Sequence, residues 1–368
     1  MLNIGIEARL VDGKGGGTKI YATNLIKYLI RFDRENTYFL YSYAHHPLLD
    51  RMVKGFDNVK IREINNKLIW RTPLIYFLMK KDKIDLIHFP AYNVAPRFFK
   101  YPKVIVTFHG IDAEYFRKRK RHLYWKINYR ISAKMSDKVI AVSAKLKEEM
   151  CRLYKLPQEK IVTIYYGFPK EEISQEKLKD VKKKYEISDD DTFILCVDGA
   201  EKRKNIITFI KSIKILIEKY NLKRIKIIIT RSSFYKELIT SLNLNEYIKL
   251  YDWIRHEDLK YLYTISKLVV YPSIYEGVGF PVIEAIRYGK PVLISANTAM
   301  GEIVNEPELT IQEPSNPNAW AKSIYQLLND EYLYLKLSKK MEERSKIFSI
   351  ENMISQHLKL YREVALHD

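Results

Sequence analysis

Short apolar runs rich in β-branched residues alternate along this chain with longer stretches whose apolar residues recur every three or four positions. In the first half, Leu2–Leu10, Thr37–Tyr43, Val59–Arg62, Ile84–Phe89, Val104–Phe108, Lys138–Val142 and Ile161–Tyr165 predict strands. In the second half the same signal covers Phe193–Val197, Ile225–Ile229, Leu268–Val270 and Leu309–Ile311. Helical spacing fills the gaps: Ile20, Leu25, Ile26, Leu29 and Ile30 share one side after the first strand, and further helices are predicted up to Tyr220, around Leu238 and from His256 to Leu262. Asn318–Leu328, Glu331–Phe348 and Glu351–Leu366 predict three closing helices. Strand and helix in alternation argue for parallel sheets covered on both faces, which gather ligands at the carboxyl ends of their strands.

A highly charged stretch, Lys170–Asp191, separates the two halves and reads as a linker with a helix in it, so residues 1–170 and 171–348 are the expected domains. At 368 residues with 47% apolar content, the chain can fill two cores of ordinary size. Its formal net charge of +19 demands an anionic partner, be it nucleotide phosphate, nucleic acid or anionic lipid. No apolar run is long enough to span a bilayer, and the first residues carry no signal pattern, so a cytoplasmic protein is expected. Cys151 and Cys196 fall in a helix and a strand pattern and read as small apolar fillers. Asp189–Asp191 is read as a turn before a strand in preference to a cation site.

Three stretches carry candidate chemistry. From Tyr271 to Ser295 the pattern is strand, glycine loop, short helix, strand: Gly277 and Gly279 let the backbone approach a ligand, Pro281 suits a first helical turn, and Gly289 with Pro291 ends the helix. Glu276 precedes that helix and Glu284 lies inside it, so an anion at the helix start and hydroxyls on the carboxylates would suit a nucleotide sugar. After the strand Phe193–Val197, Gly199 and the cations Arg203 and Lys204 precede another helix, a setting suited to a diphosphate. Two charge-assisted bonds of about 1.5 to 3 kcal/mol each fall short of the roughly 8 kcal/mol of micromolar binding, so base and ribose must supply the rest. In the first half, the Asp12–Gly17 turn fits neither the dinucleotide nor the P-loop spacing. His109 follows a strand end, and Ser143 reads as a helix N-cap.

The run Glu276-Gly-x-Gly-x-Pro-x-x-Glu284, followed by Tyr288-Gly-Lys-Pro291, resembles the E-x7-E signature of glycosyltransferase family four, retaining enzymes of the GT-B fold. The resemblance covers nearly the whole chain and implies an α/β, GT-B architecture: two doubly wound Rossmann-like domains facing a central cleft. It also implies that the terminal helix, about residues 349–368, returns to complete the first domain. It further implies that Arg203 and Lys204 bind the donor diphosphate with Gly279, Phe280, Pro281 and Val282 at the helix start, that Glu284 holds the ribose, and that Glu276 and His109 contact the transferred sugar. Many relatives have His-Asp where this chain has His109-Gly110. Gly16, Gly17, Gly199 and Gly277 are further candidates for lining the donor site, and loops near Thr230 and Trp253 for meeting the base. No cofactor or metal is expected, since the nucleotide sugar is a co-substrate.

The implied reaction moves a hexose, with a lean toward mannose, to a glycan or lipid-linked acceptor with retention of configuration. Two other readings stay open: a GT-B nucleotide-sugar epimerase, and a non-catalytic protein that binds anions or a membrane surface. The basic run Arg117, Lys118, Arg119, Lys120 and Arg121 suits an anionic membrane at the cell's inner face, each facing cation contributing about 1 kcal/mol. No nucleic-acid-binding module accompanies it, which disfavours nucleic acid as the partner.

Overall fold

The computed structural model describes residues 1–12, 16–92, 94–97, 100–111, 120–197, 201–276, 278–296 and 298–366. It divides into two compact units, Met1–Gly167 with Ile350–Asp368, and Phe168–Ser349.

The first unit is built on seven parallel strands: β1 (Asn3–Glu7), β2 (Thr37–Ser42), β3 (Val59–Glu63), β4 (Leu86–Phe89), β5 (Lys103–Phe108), β6 (Lys138–Ala141) and β7 (Ile161–Thr163). Their order is β3-β2-β1-β4-β5-β6-β7, so the winding reverses between β1 and β4. β1 and β4 are apolar on both faces because helices cover both, and Ile4, Ile6, Leu86 and Ile87 are wholly buried. Gly5 sits in tight packing: a Cβ there would stand 2.8 Å from the end of the Ile87 side chain, which would have to shift. The helix Gly17–Phe32 buries Leu25, Ile26, Leu29 and Ile30, the stripe that its spacing predicts.

The closing helix Ile350–Leu366 belongs to this first unit and buries Met353, Ile354, His357, Leu360, Tyr361 and Val364. A buried hydrogen-bond circuit binds it in place. His357 Nδ1 lies 2.7 Å from the Met353 carbonyl and must donate to it, which leaves Nε2 to accept from the Tyr21 hydroxyl at 2.8 Å. Tyr21 then accepts from Thr107 at 3.1 Å, Thr107 from His88 Nε2 at 2.8 Å, and His88 Nδ1 from Tyr361 at 2.6 Å. With His357 and His88 neutral, every proton in the chain has one direction. Burial lowers the pKa of His357 to about 4, and burial, with His357 and His109 nearby, holds His88 well below its ordinary value.

The second unit holds six parallel strands: β8 (Thr192–Cys196), β9 (Ile225–Thr230), β10 (Ile248–Tyr251), β11 (Leu268–Tyr271), β12 (Val292–Ser295) and β13 (Thr310–Ile311). Their order, β10-β9-β8-β11-β12-β13, reverses between β8 and β11. Both units are therefore doubly wound Rossmann-like α/β domains. The Asp189–Asp191 stretch is a turn: Asp191 accepts from the Ser188 backbone at 2.8 Å and Asp189 pairs with Lys182.

Candidate functional site

The loops that leave β8 and β11, the two strands at the reversal of the second sheet, meet side by side. After β8 a short helical turn, Lys202–Lys204, carries three cations, of which Arg203 and Lys204 reach the neighbouring loop, and after β11 the chain runs through Pro272 and Ser273 to Glu276. The loops are stitched by their backbones, with Ile274 N donating to Arg203 O at 2.9 Å. Asn205 caps the following helix, Ile206–Tyr220, in a left-handed conformation (φ 55°) that asparagine tolerates.

Glu276 lies at the centre of the cluster. Its Oε1 accepts from Arg203 Nη1 at 2.6 Å, Lys204 Nζ at 2.7 Å, Ser273 Oγ at 2.9 Å and the Tyr271 hydroxyl at 3.1 Å. Among the described residues all four bonds fall on Oε1, more than one oxygen's lone pairs can satisfy at full strength. Lys204 is only 2% exposed, and a buried ammonium must be paired. Glu276 and the Tyr271 hydroxyl at 2.7 Å do this, with the Tyr271 ring face 4.9 Å away. Arg203 is held between two carboxylates: Nε donates to Glu201 at 2.7 Å, and Nη1 reaches both Glu276 and the Tyr275 carbonyl. Burial pulls its pKa down, but the Glu201 bond and the charges of Glu276 and Glu201 more than offset this and leave it raised.

Eight positions on, Glu284 sits in the helix Phe280–Arg287. Burial raises its pKa, opposed by a bond from the Tyr263 hydroxyl at 2.9 Å and by the charge of His256. The helix starts on Gly279, whose φ of 76° a side chain rarely adopts and whose Cβ would meet Met300 at 3.0 Å. Pro281 has no N–H, and Val282 N already donates to Gly279 O at 3.0 Å. Of the four residues expected to offer backbone donors, those two have none to spare, while Val282 is wholly buried and supports the turn by packing. Thr230 and Trp253 lie at and just beyond the carboxyl ends of β9 and β10, and the Trp253 side chain is 73% exposed.

In the first unit, His109 follows β5. Its Nε2 donates to the Pro90 carbonyl at 2.6 Å, so its Nδ1 accepts from the Tyr166 hydroxyl, and burial lowers its pKa to about 4. Both ring nitrogens are thus engaged within the protein. Gly16 is exposed at φ 122° with open space where a Cβ would stand, and Gly17 begins the helix that follows. Gly199, Gly277, Arg117, Lys118 and Arg119 lie outside the described residues, while Lys120 and Arg121 open the helix Lys120–Met135.

Sequence spacing brings Arg203, Lys204 and Glu276 to notice but not the side chains that orient them. Tyr271 reads as the end of an apolar strand, and Ser273 as loop polarity. Tyr263 is 21 residues from Glu284 in sequence and carries no local signal. Among the described residues no group of three or more His, Cys, Asp or Glu is placed to hold a metal ion.

Two family models divide the chain between them: Glycosyltransferase Family 4 matches residues 15–172 and Glycosyl transferases group 1 matches residues 178–347. An uncharacterized glycosyltransferase of Methanocaldococcus jannaschii is 27% identical over 63% of this chain and 61% of its own length. The O-antigen chain mannosyltransferase RfbU of Salmonella typhimurium is 28% identical over 60% of this chain. The match spans 59% of that relative, so the chain spans about three fifths of the length of both. The Anabaena protein HepE, solved in complex with UDP and glucose, superposes with a TM-score of 0.75 at 17% identity, covering 99% of this chain and 100% of that one.

Proposed function

Because this chain belongs to glycosyltransferase family 4, we propose that it transfers a hexose, mannose in the first instance, from a nucleotide-diphosphate sugar to a glycan or lipid-linked acceptor, with retention of anomeric configuration. The observation that carries this reading is the Arg203–Lys204–Glu276 cluster at the switch point of the second sheet. Two adjacent cations oriented by fixed partners stabilise the charge that grows on a departing diphosphate, the largest usual contribution to such a reaction. Support for the donor class comes from HepE, seen with UDP and glucose, and for mannose from RfbU.

The Glu276 carboxylate holds the two cations that a diphosphate would take. A diphosphate brings more charge than the carboxylate, so it displaces Glu276 from Arg203 and Lys204 and frees it to accept hydroxyls of the donor sugar. Glu284 and Tyr263 receive the ribose hydroxyls. His109, neutral and fixed by Pro90 and Tyr166, contributes an imidazole edge at the acceptor side and no proton. No protein nucleophile is assigned, because the leaving phosphate can take the acceptor's proton on the same face. The cations supply the charge a metal would otherwise bring, so turnover should survive chelation.

The test is donor hydrolysis and transfer, followed by chromatography for nucleoside diphosphate and by NMR for the anomeric configuration of the product. Release of nucleoside diphosphate with an axial-to-axial outcome supports the reading. An epimerised sugar without acceptor, an inverted product, or loss of turnover on adding EDTA would each displace the corresponding part of it.

A further inference from the structure

Two helices of the first unit carry apolar side chains on the face turned away from its core. In the helix Leu74–Lys81, Ile75, Tyr76 and Met79 are buried, yet Leu74, Phe77 and Leu78 are 56%, 54% and 39% exposed. These three and Lys81 fall at i, i+3, i+4 and i+7, which is one stripe along a helix. A helix that is apolar on both sides is built to meet a second apolar surface. In the helix Lys120–Met135, Leu123, Tyr124 and Ile127 are exposed, and their stripe runs on to exposed Arg130 and Lys134. Each stripe passes from apolar to cationic along its length.

The two stripes are anchored to one stretch of backbone. The Tyr76 hydroxyl donates to the Ala95 carbonyl at 2.8 Å, and Ser132 Oγ donates to the Tyr92 carbonyl at 2.9 Å. The Tyr92 ring packs edge-on against Tyr129 with centroids 4.2 Å apart. Tyr92 and Ala95 follow β4, so both helices stand around the carboxyl end of the same strand.

We propose that this side of the first unit is a membrane-binding surface, on which Leu74, Phe77, Leu78, Leu123 and Ile127 enter the interface of an anionic bilayer while Lys81, Arg130 and Lys134 lie at its phosphates. Charge selects the occupant. The apolar residues are bordered by cations on a chain of net charge +19, and an anionic bilayer offers apolar depth beneath negative headgroups. A second copy of this chain would set like charges against each other. Among the described residues no helix is long and apolar enough to cross a membrane, so the contact lies in the plane of the interface.

Cosedimentation of the full chain with vesicles tests this. Vesicles of phosphatidylcholine alone are compared with vesicles containing phosphatidylglycerol, for the wild type and for the double substitution Leu74→Ser with Leu78→Ser. The wild type is expected to sediment only with anionic vesicles, and less so as salt rises. The double substitution leaves the charge unchanged and should weaken partitioning about tenfold, with melting and nucleoside diphosphate binding unaltered. Unchanged partitioning of the double variant, or no sedimentation with anionic vesicles, overturns the proposal. So does a dimer in analytical ultracentrifugation that the same substitutions disperse, which would mean that a second copy covers the stripes. No sugar donor is needed, so the result stands apart from the transferase reading.

Discussion

Both units place a buried polar cluster beside the strands where their sheet order reverses, and the two clusters are opposite in kind. In the first unit His88, Thr107, Tyr21, His357 and Tyr361 form a neutral circuit in which each donor has one acceptor. A ligand could enter it only by breaking a satisfied bond in a dry interior, which costs about 1 to 3 kcal/mol per orphaned group. In the second unit four donors converge on one oxygen of Glu276, and Arg203 keeps 27% of its side chain exposed. Those charges can be handed to an incoming anion without leaving any of them unpaired. A closed neutral circuit fastens a helix, whereas an open charged cluster has one member that a ligand can replace.

Several substitutions would break or sharpen that contrast. The largest effect is expected for Lys204→Ala, which removes the buried cation. Turnover should fall about 100- to 1,000-fold in a steady-state assay, in line with the loss of one charge-stabilising group. Glu276→Gln should lower turnover by about 100-fold while tightening nucleoside diphosphate binding several-fold, because the amide no longer competes for Arg203 and Lys204. A simple structural role for Glu276 predicts weaker binding, so the direction of the affinity change decides between them.

The neutral circuit should answer to pH and not to ligand. Histidines held neutral by burial bind fewer protons when folded than when unfolded, so stability falls as pH drops from about 6.5 towards 4. His357 of the circuit, and His109, which bonds Pro90 and Tyr166 outside it, each account for roughly 3 kcal/mol of that loss. Urea unfolding across this range should show it. His357→Phe, which leaves the Tyr21 hydroxyl proton without its acceptor and the Met353 carbonyl without its imidazole donor, should cost about 1 to 3 kcal/mol at pH 7 and flatten the acid slope without altering nucleotide affinity. The smallest effect is expected for Glu284→Gln. Burial raises its carboxyl pKa in the folded state, so its ionisation opposes folding once pH is above the ordinary carboxylate range, and removing the charge should raise the melting midpoint by about 2 °C at pH 7. On the proposed role of Glu284 at the ribose, nucleotide binding should weaken at the same time, about tenfold.

Local periodicity was enough to reveal most of the alternating architecture, because strands such as β5 and β11 are apolar on both faces and helices such as Gly17–Phe32 show their stripe, whereas the edge strand β10 mixes apolar and polar residues and carries no such run. The motif from Glu276 to Glu284 was legible because its spacing and its flanking Gly and Pro residues match the E-x7-E signature that the chain resembles. The circuit around His357 was not, since Tyr21 and His357 are 336 residues apart in sequence and a histidine on a helix carries no mark of its partner. Nor could spacing show that the Val282 N–H is already taken by Gly279, or that Glu276 binds both cations of its own site. Those facts depend on hydrogen-bond geometry formed only once the loops after β8 and β11 lie together.

The most direct test of the charged cluster as a donor site is calorimetric titration of the wild type, Arg203→Ala and Glu276→Gln with the diphosphates of uridine, guanosine, adenosine and thymidine. Selective binding of one base, weakened about 10- to 100-fold in Arg203→Ala and tightened in Glu276→Gln, is the predicted result. Binding of none, or equal binding of all four that neither substitution alters, would contradict it.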